Sequence, residues 1–173
     1  MKLFFNILLL ILVGLLVCLV VYPFLHEIGH CIFAYVLSCD VKNINFTNDI
    51  SVDCVVNAQN KWLIVFVALG GLIFPFIIAV LFRMKSFWLW CASVLLKLVC
   101  LLSFVISIVS AVLTLSGSVN IHDDSTVVIN YAPQLIIPYL LAVFMMFIIC
   151  LFLVIKTDFI NKILVRFWTD TFS

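Results

Sequence analysis

Acidic residues are scarce in this chain, and glutamate is almost missing: Glu27 is the only one among 173 residues. Lysine and arginine number nine in all and form no basic run, and the formal net charge is +1. The electrostatic footprint of a nucleic-acid binder is therefore absent. Charged residues of both signs make up only 10% of the chain while hydrophobic residues make up 67%. With a mean hydropathy of +1.40, that composition lies far outside the range of soluble domains. Long polar stretches are missing too. A spanning helix takes roughly 20 apolar residues, so four spans and their connections use nearly the whole length. The expectation is a multi-pass integral membrane protein, a single unit over residues 1–173, whose partners lie in the lipid bilayer.

No C-x-x-C pair occurs. The seven cysteines, Cys18, Cys31, Cys39, Cys54, Cys91, Cys100 and Cys150, are scattered and mostly sit in apolar runs. They read as small packed hydrophobes rather than a disulfide framework or a thiolate metal site. Cys39 and Cys54 flank a polar loop and would pair only in an oxidising compartment. The first apolar run is too long for a signal peptide, and no small-residue cleavage site precedes His26, so the run is expected to be retained.

Against this background stands His26-Glu27-Ile28-Gly29-His30, an HExxH pattern at the end of an almost uninterrupted apolar run. On a helix, residues at i and i+4 share a face, so both imidazoles can reach one Zn²⁺ while Glu27 projects beside the metal-bound water as catalytic base. Each ionisable residue at membrane depth carries an insertion penalty of roughly 2.5 to 3.5 kcal/mol. Two of the three histidines and the sole glutamate crowd into these five positions, which asks for a function.

The apolar segment from Leu3 to about Leu25 is expected to continue as helix to Val36 or Leu37. Pro23, three residues before His26, would bend it and open a way for water, although prolines are also tolerated in membrane helices without such a role. Residues 38–61 turn polar and alternate on either side of Thr47-Asn48-Asp49, a pattern for a short β-hairpin at the membrane surface. Further spans are expected at Trp62–Phe82, Phe87–Leu115 and a proline-marked stretch ending near Ile155. Gly70-Gly71 in the second allows close helix approach. Lys97 in the third is expected to snorkel rather than meet an internal carboxylate. The fold class is thus an all-α membrane protein of about four transmembrane helices, with a short membrane-surface β-hairpin.

A catalytic zinc needs three protein ligands and an open water position. Phe33 and Val36 replace the glycine and third histidine of the long metzincin pattern, and no second glutamate exists for zincins that use one. The candidates are Asp124, Asp123 and His122. Asp124 is chosen because a small residue and then aliphatic residues follow it; Asp123 is the fallback and is otherwise expected to cap a helix.

This combination resembles the site-2 protease family of intramembrane zinc metalloproteases. The stretch Leu25-His26-Glu27-Ile28-Gly29-His30-Cys31-Ile32-Phe33-Ala34 carries the resemblance, with glycine before the second histidine and a small residue four positions after it. The resemblance implies a membrane-surface β-element after the motif helix, matching 41–56, and a later Asp-Gly motif as third ligand. Here Ser125 stands where that glycine would be, and Asp123 precedes the ligand where an aliphatic residue is common. Gly70-Gly71 lacks the asparagine of the family's Gly-Pro-x-x-Asn element. The resemblance further implies a zinc metalloendopeptidase that hydrolyses peptide bonds in or near transmembrane segments, with a transmembrane protein or peptide as substrate.

The alternative of another class is a membrane metal-binding or ion-transport protein that uses the same ligands without proteolysis and needs no base at Glu27. A catalytically silent relative that only binds transmembrane helices fits less well, because His26, Glu27 and His30 are all present. In a four-span chain, Lys2, Arg83, Lys85, Lys156, Lys162 and Arg166 fall on one side and Lys42 and Lys61 on the other. The positive-inside rule then places both termini in the cytoplasm. The familiar members of the resembled family hold their site nearer the cytosol, the opposite orientation. Asn45-Phe46-Thr47 is an N-glycosylation acceptor pattern on the far side.

Overall fold

The computed structural model describes residues 2–45, 51–55, 60–82, 86–118 and 123–172; for Lys2, 40–45, 51–55 and 167–172 it describes the backbone alone. A first helical stretch comprises α1 (Lys2–Leu16), a π-helical turn (Val17–Val21) and α2 (Tyr22–Val36). Leucine-rich sequence with one glycine favours the helix throughout α1. Pro23 has no N–H to give the preceding turn. The irregularity expected of it lies just before it, where the Tyr22 N–H reaches back five residues to the Val17 carbonyl. Such π-turns widen a helix locally and recur next to functional residues.

Ser38, at φ 56°, turns the chain out of α2. Strands β1 (Asp40–Asn45) and β2 (Ser51–Val55) follow and pair antiparallel, with Asn45 opposite Ser51 and an irregularity between Val41 and Asn43. They occupy the stretch whose alternation suggests a hairpin, but the expected turn at 47–49 lies outside the described residues.

Helix α3 (Lys61–Leu81) starts at Asn60, whose side chain accepts from the Trp62 N–H at 3.2 Å. Helix α4 (Phe87–Leu115) ends at Gly117, whose φ of 71° lets the Ser118 N–H bond the Leu113 carbonyl at 3.1 Å. The stretch expected as one interrupted fourth span separates into α5 (Asp124–Tyr131), a single 3-10 turn (Pro133–Leu135) and α6 (Ile136–Lys156). Pro133 causes the break, because the residue before a proline is driven out of the α region, and Ala132 sits at φ −140°. Pro138 falls in the first turn of α6, where its missing N–H costs nothing. Beyond Asp158, at φ 50°, the C-terminal stretch forms α7 (Phe159–Phe172), a helix that the four-span pattern does not anticipate.

Among the described residues, four helical stretches are long and apolar enough to cross a membrane: Leu3–Val36, Lys61–Leu81, Phe87–Leu115 and Pro133–Arg166. Their outer faces carry bare apolar side chains such as Phe4, Leu19, Leu141 and Phe152. A water-facing surface does not look like this. Helix α4 lies at the centre, in contact with α1, α2, α3, α5 and α6. The closest approach is between α2 and α3. A Cβ on Gly29 would collide with the Gly70 carbonyl, and one on Gly70 would meet the Phe33 ring at 2.7 Å. Small residues let these two backbones touch, which is how apolar helices gain van der Waals contact where no hydrophobic drive separates protein from lipid.

Lys97 does not snorkel out. It is 9% exposed, and its ammonium folds back one turn to the Ser93 hydroxyl at 2.8 Å. Ser93 in turn donates to the Phe82 carbonyl at 2.9 Å, at the end of α3. A cation beside that carbonyl end meets the negative pole of the α3 dipole, which offsets part of its desolvation.

Candidate metal centre

Tyr22, His26 and His30 line one face of α2 at i, i+4 and i+8, and the glycine contact with α3 presses that face against Val67 and Gly71. The Nε2 atoms of His26 and His30 lie 3.1 Å apart, with ring centroids 4.6 Å apart in an edge arrangement. Helix α5 packs on α3 and α4 and brings Asp124, its first residue, to the same point. Asp124 Oδ2 is 3.4 Å from His26 Nε2, and Oδ1 is 3.3 Å from His30 Nε2. The three side chains are only 20%, 11% and 14% exposed.

His30 Nδ1–H donates to the Val67 carbonyl at 2.8 Å. That bond fixes the tautomer and leaves the Nε2 lone pair directed at Asp124. His26 touches the main chain at Gly71, while its buried Nδ1 and Asp124 Oδ2 make no hydrogen bond. Two imidazole nitrogens and a carboxylate thus converge on one point, a donor set that suits a metal cation.

The spacing is of the order a tetrahedral metal site needs: with metal–ligand bonds of about 2.0 to 2.2 Å, neighbouring donor atoms stand roughly 3.3 to 3.5 Å apart. Each Asp124 oxygen lies 3.3 or 3.4 Å from one imidazole nitrogen, while the two nitrogens are closer together, at 3.1 Å. Glu27 also places a carboxylate oxygen within 4.8 Å of a donor nitrogen on each histidine. Two carboxylates therefore compete for the third position. Asp124 brackets both nitrogens, one oxygen to each.

Asp123, the fallback ligand, is turned to another task. It stands at the N-cap of α5 in extended backbone, its N–H donating to Thr126 Oγ1 at 3.1 Å and its Oδ2 accepting from Ser125 Oγ at 3.0 Å. Burial and the neighbouring Asp124 charge push its carboxyl above the usual carboxylate range, and the Ser125 bond pulls the other way. Ser125, in the place of the expected glycine, is fully buried by that contact. His122 lies outside the described residues, as does the Cys54 side chain.

Three further contributors carry no motif of their own. A Cβ on Gly71 would meet His30 Nε2 at 2.5 Å and His26 Cε1 at 2.8 Å, so Gly71 makes room for both rings. Tyr22 lies one helical turn before His26, with ring centroids 5.9 Å apart, and its hydroxyl bonds Ser103. Its i−4 spacing from His26 is the one sequence signal that points to it. Tyr139, fully buried on α6, bonds Ser107 at 2.9 Å. No family model matches the chain, and no curated protein or solved structure matches it either.

Proposed function

We propose that the chain is a multi-pass membrane zinc metalloendopeptidase, similar in its working parts to site-2 proteases, that hydrolyses peptide bonds in or near transmembrane segments. The observation that carries this reading is the convergence of His26, His30 and Asp124 within 3.4 Å, with Glu27 alongside. His26, His30 and Asp124 are the residues that would hold zinc. Bound there, the ion would lower the pKa of a coordinated water toward about 7 and polarise the scissile carbonyl.

Glu27 takes the proton from the attacking water and passes it to the leaving amide nitrogen. Val67 holds the His30 ring in its orientation through the Nδ1 bond. A helical substrate hides its peptide bonds in its own hydrogen bonds and must unwind before cleavage. The β1–β2 ribbon, paired only to itself among the described residues, offers unpaired strand edges to the extended segment by β-augmentation.

The test is zinc content of the purified protein together with cleavage of a panel of transmembrane peptides, wild type against Glu27→Gln. Zinc in both proteins and cleavage only by the wild type is the expected result. Zinc without cleavage by the wild type would favour the metal-binding or ion-transport alternative. Absence of zinc from gently prepared protein would remove the metalloprotease reading altogether.

A further inference from the structure

Four hydroxyl residues, Ser103, Ser107, Ser110 and Thr114, follow i, i+4, i+7 and i+11 along α4 and so form a single line on the central helix. Serine and threonine inside helices usually return their hydroxyl to the carbonyl one turn back. These four do not. Ser103 is taken by Tyr22 and Ser107 by Tyr139, while Ser110 Oγ and Thr114 Oγ1 are buried with no hydrogen-bond partner among the described residues. Ser110 is 1% exposed. A buried hydroxyl left unmade inside an apolar bundle is costly, and buried water is the usual partner in such places.

We propose that this line is a hydrated seam, a file of water molecules held by Thr114, Ser110, Ser107 and Ser103 and by the hydroxyls of Tyr139 and Tyr22, ending at the His26–Asp124 cluster. The line covers about 16 Å of helix. Its outer end opens next to Ser116, Gly117 and Ser118, which are exposed. Its inner end reaches the site through Tyr22, whose ring centroid lies 5.9 Å from that of His26. Below Ser103 the interior closes. Cys100 and Cys150 are fully buried there, and Cys150 Sγ is tied to the Lys97 carbonyl at 3.3 Å. Water therefore enters from the Ser116 end and stops at the site.

The seam needs no metal and so stands apart from the protease reading; where that reading holds, it delivers the water that hydrolysis consumes. Radiolytic hydroxyl-radical footprinting in nanodiscs tests it on the unaltered protein, because radicals born in bound water oxidise the side chains beside it. Tyr139 and Phe104 are both 0% exposed. Tyr139 should be oxidised several-fold faster than Phe104, with or without zinc, and replacing the hydroxyls in a Ser110→Ala, Thr114→Val double variant should slow that oxidation. Tyr139 protected as fully as Phe104, or oxidised at an unchanged rate in the double variant, would overturn the seam. Neither readout depends on turnover, so failure of the cleavage assay and failure of the seam are distinguishable.

Discussion

The Val67 carbonyl accepts a hydrogen bond from His30 Nδ1 at 2.8 Å, across 37 residues of sequence. One turn further along α3 from Val67, Gly71 leaves the space that the two histidine rings fill. Helix α3 therefore orients one ligand with its backbone and admits both by lacking a side chain. The glycine pair that reads as simple helix packing serves packing at Gly70 and the site at Gly71.

Gly71→Ala follows from that division. The added methyl would sit 2.5 Å from His30 Nε2, and overpacking of this kind costs about 1 to 3 kcal/mol. The rings can yield more readily than two helix backbones can. The variant is expected to fold and insert while its zinc content falls well below one per chain. Elemental analysis with a thermal unfolding curve checks both halves; full zinc occupancy in folded Gly71→Ala would show that the rings are not held as described.

Glu27→Gln separates base from ligand. The amide is nearly isosteric but cannot accept the proton of the attacking water, and a positioned base contributes roughly 10²- to 10⁴-fold. Zinc content should stay near the wild-type value while peptide cleavage falls by about that factor. A parallel loss of zinc would instead make Glu27 the third ligand in place of Asp124.

Orientation in the membrane is open to direct measurement. Phe159 of α7 lies 5.6 Å from Trp90 at the start of α4, and Lys162 lies over the same Trp90 ring at 5.2 Å. The α3–α4 and α6–α7 connections therefore share one end of the bundle. The metal cluster begins 24 residues beyond Lys2 along the first helical stretch, about 36 Å of helix, which puts it toward the other end. The charge asymmetry then places the cluster away from the cytoplasm. Glycosylation at Asn45 in a microsomal assay is the expected outcome, and labelling of an introduced cysteine in that loop from the cytosolic side alone would reverse the orientation.

Much of the site is legible in the sequence because ionisable residues are so rare in this chain. His26 and His30 announce themselves by i, i+4 spacing within an apolar run, whereas elimination leaves Asp124, Asp123 and His122 together and only the residues after Asp124 favour it. What stays hidden depends on contacts between distant elements. The Val67 carbonyl has no sequence signature, since any residue supplies one. The hydroxyl line on α4 is regular but reads as ordinary helix packing until Ser110 is seen buried without a partner. The fourth span departs from expectation for a local reason: Pro133 reads as an interruption within one helix, whereas it forces Ala132 out of the helical region and frees α5 to carry Asp124 inward. Lys97 departs from expectation because, although Ser93 one turn before it is local, the sequence does not reveal that the carbonyl end of α3 lies beside that hydroxyl.

Adjacent aspartates with different partners give the sharpest test of the ligand set. Asp124 touches both histidines, so Asp124→Ala removes a carboxylate that lies within 3.4 Å of both Nε2 atoms and should abolish zinc binding and cleavage together. Asp123 receives the Ser125 hydroxyl and starts α5. Its replacement by alanine loses a cap worth about 0.5 to 2 kcal/mol and leaves the metal in place. The two variants should therefore cross over, Asp124→Ala losing zinc with modest change in unfolding temperature and Asp123→Ala losing stability with zinc retained. Asp124→Asn sharpens the result, because it keeps the shape and one oxygen acceptor but gives up the charge; weakened rather than absent zinc is expected. If Asp124→Ala stays metallated and active while Asp123→Ala does not, the carboxylate ligand has been assigned to the wrong neighbour.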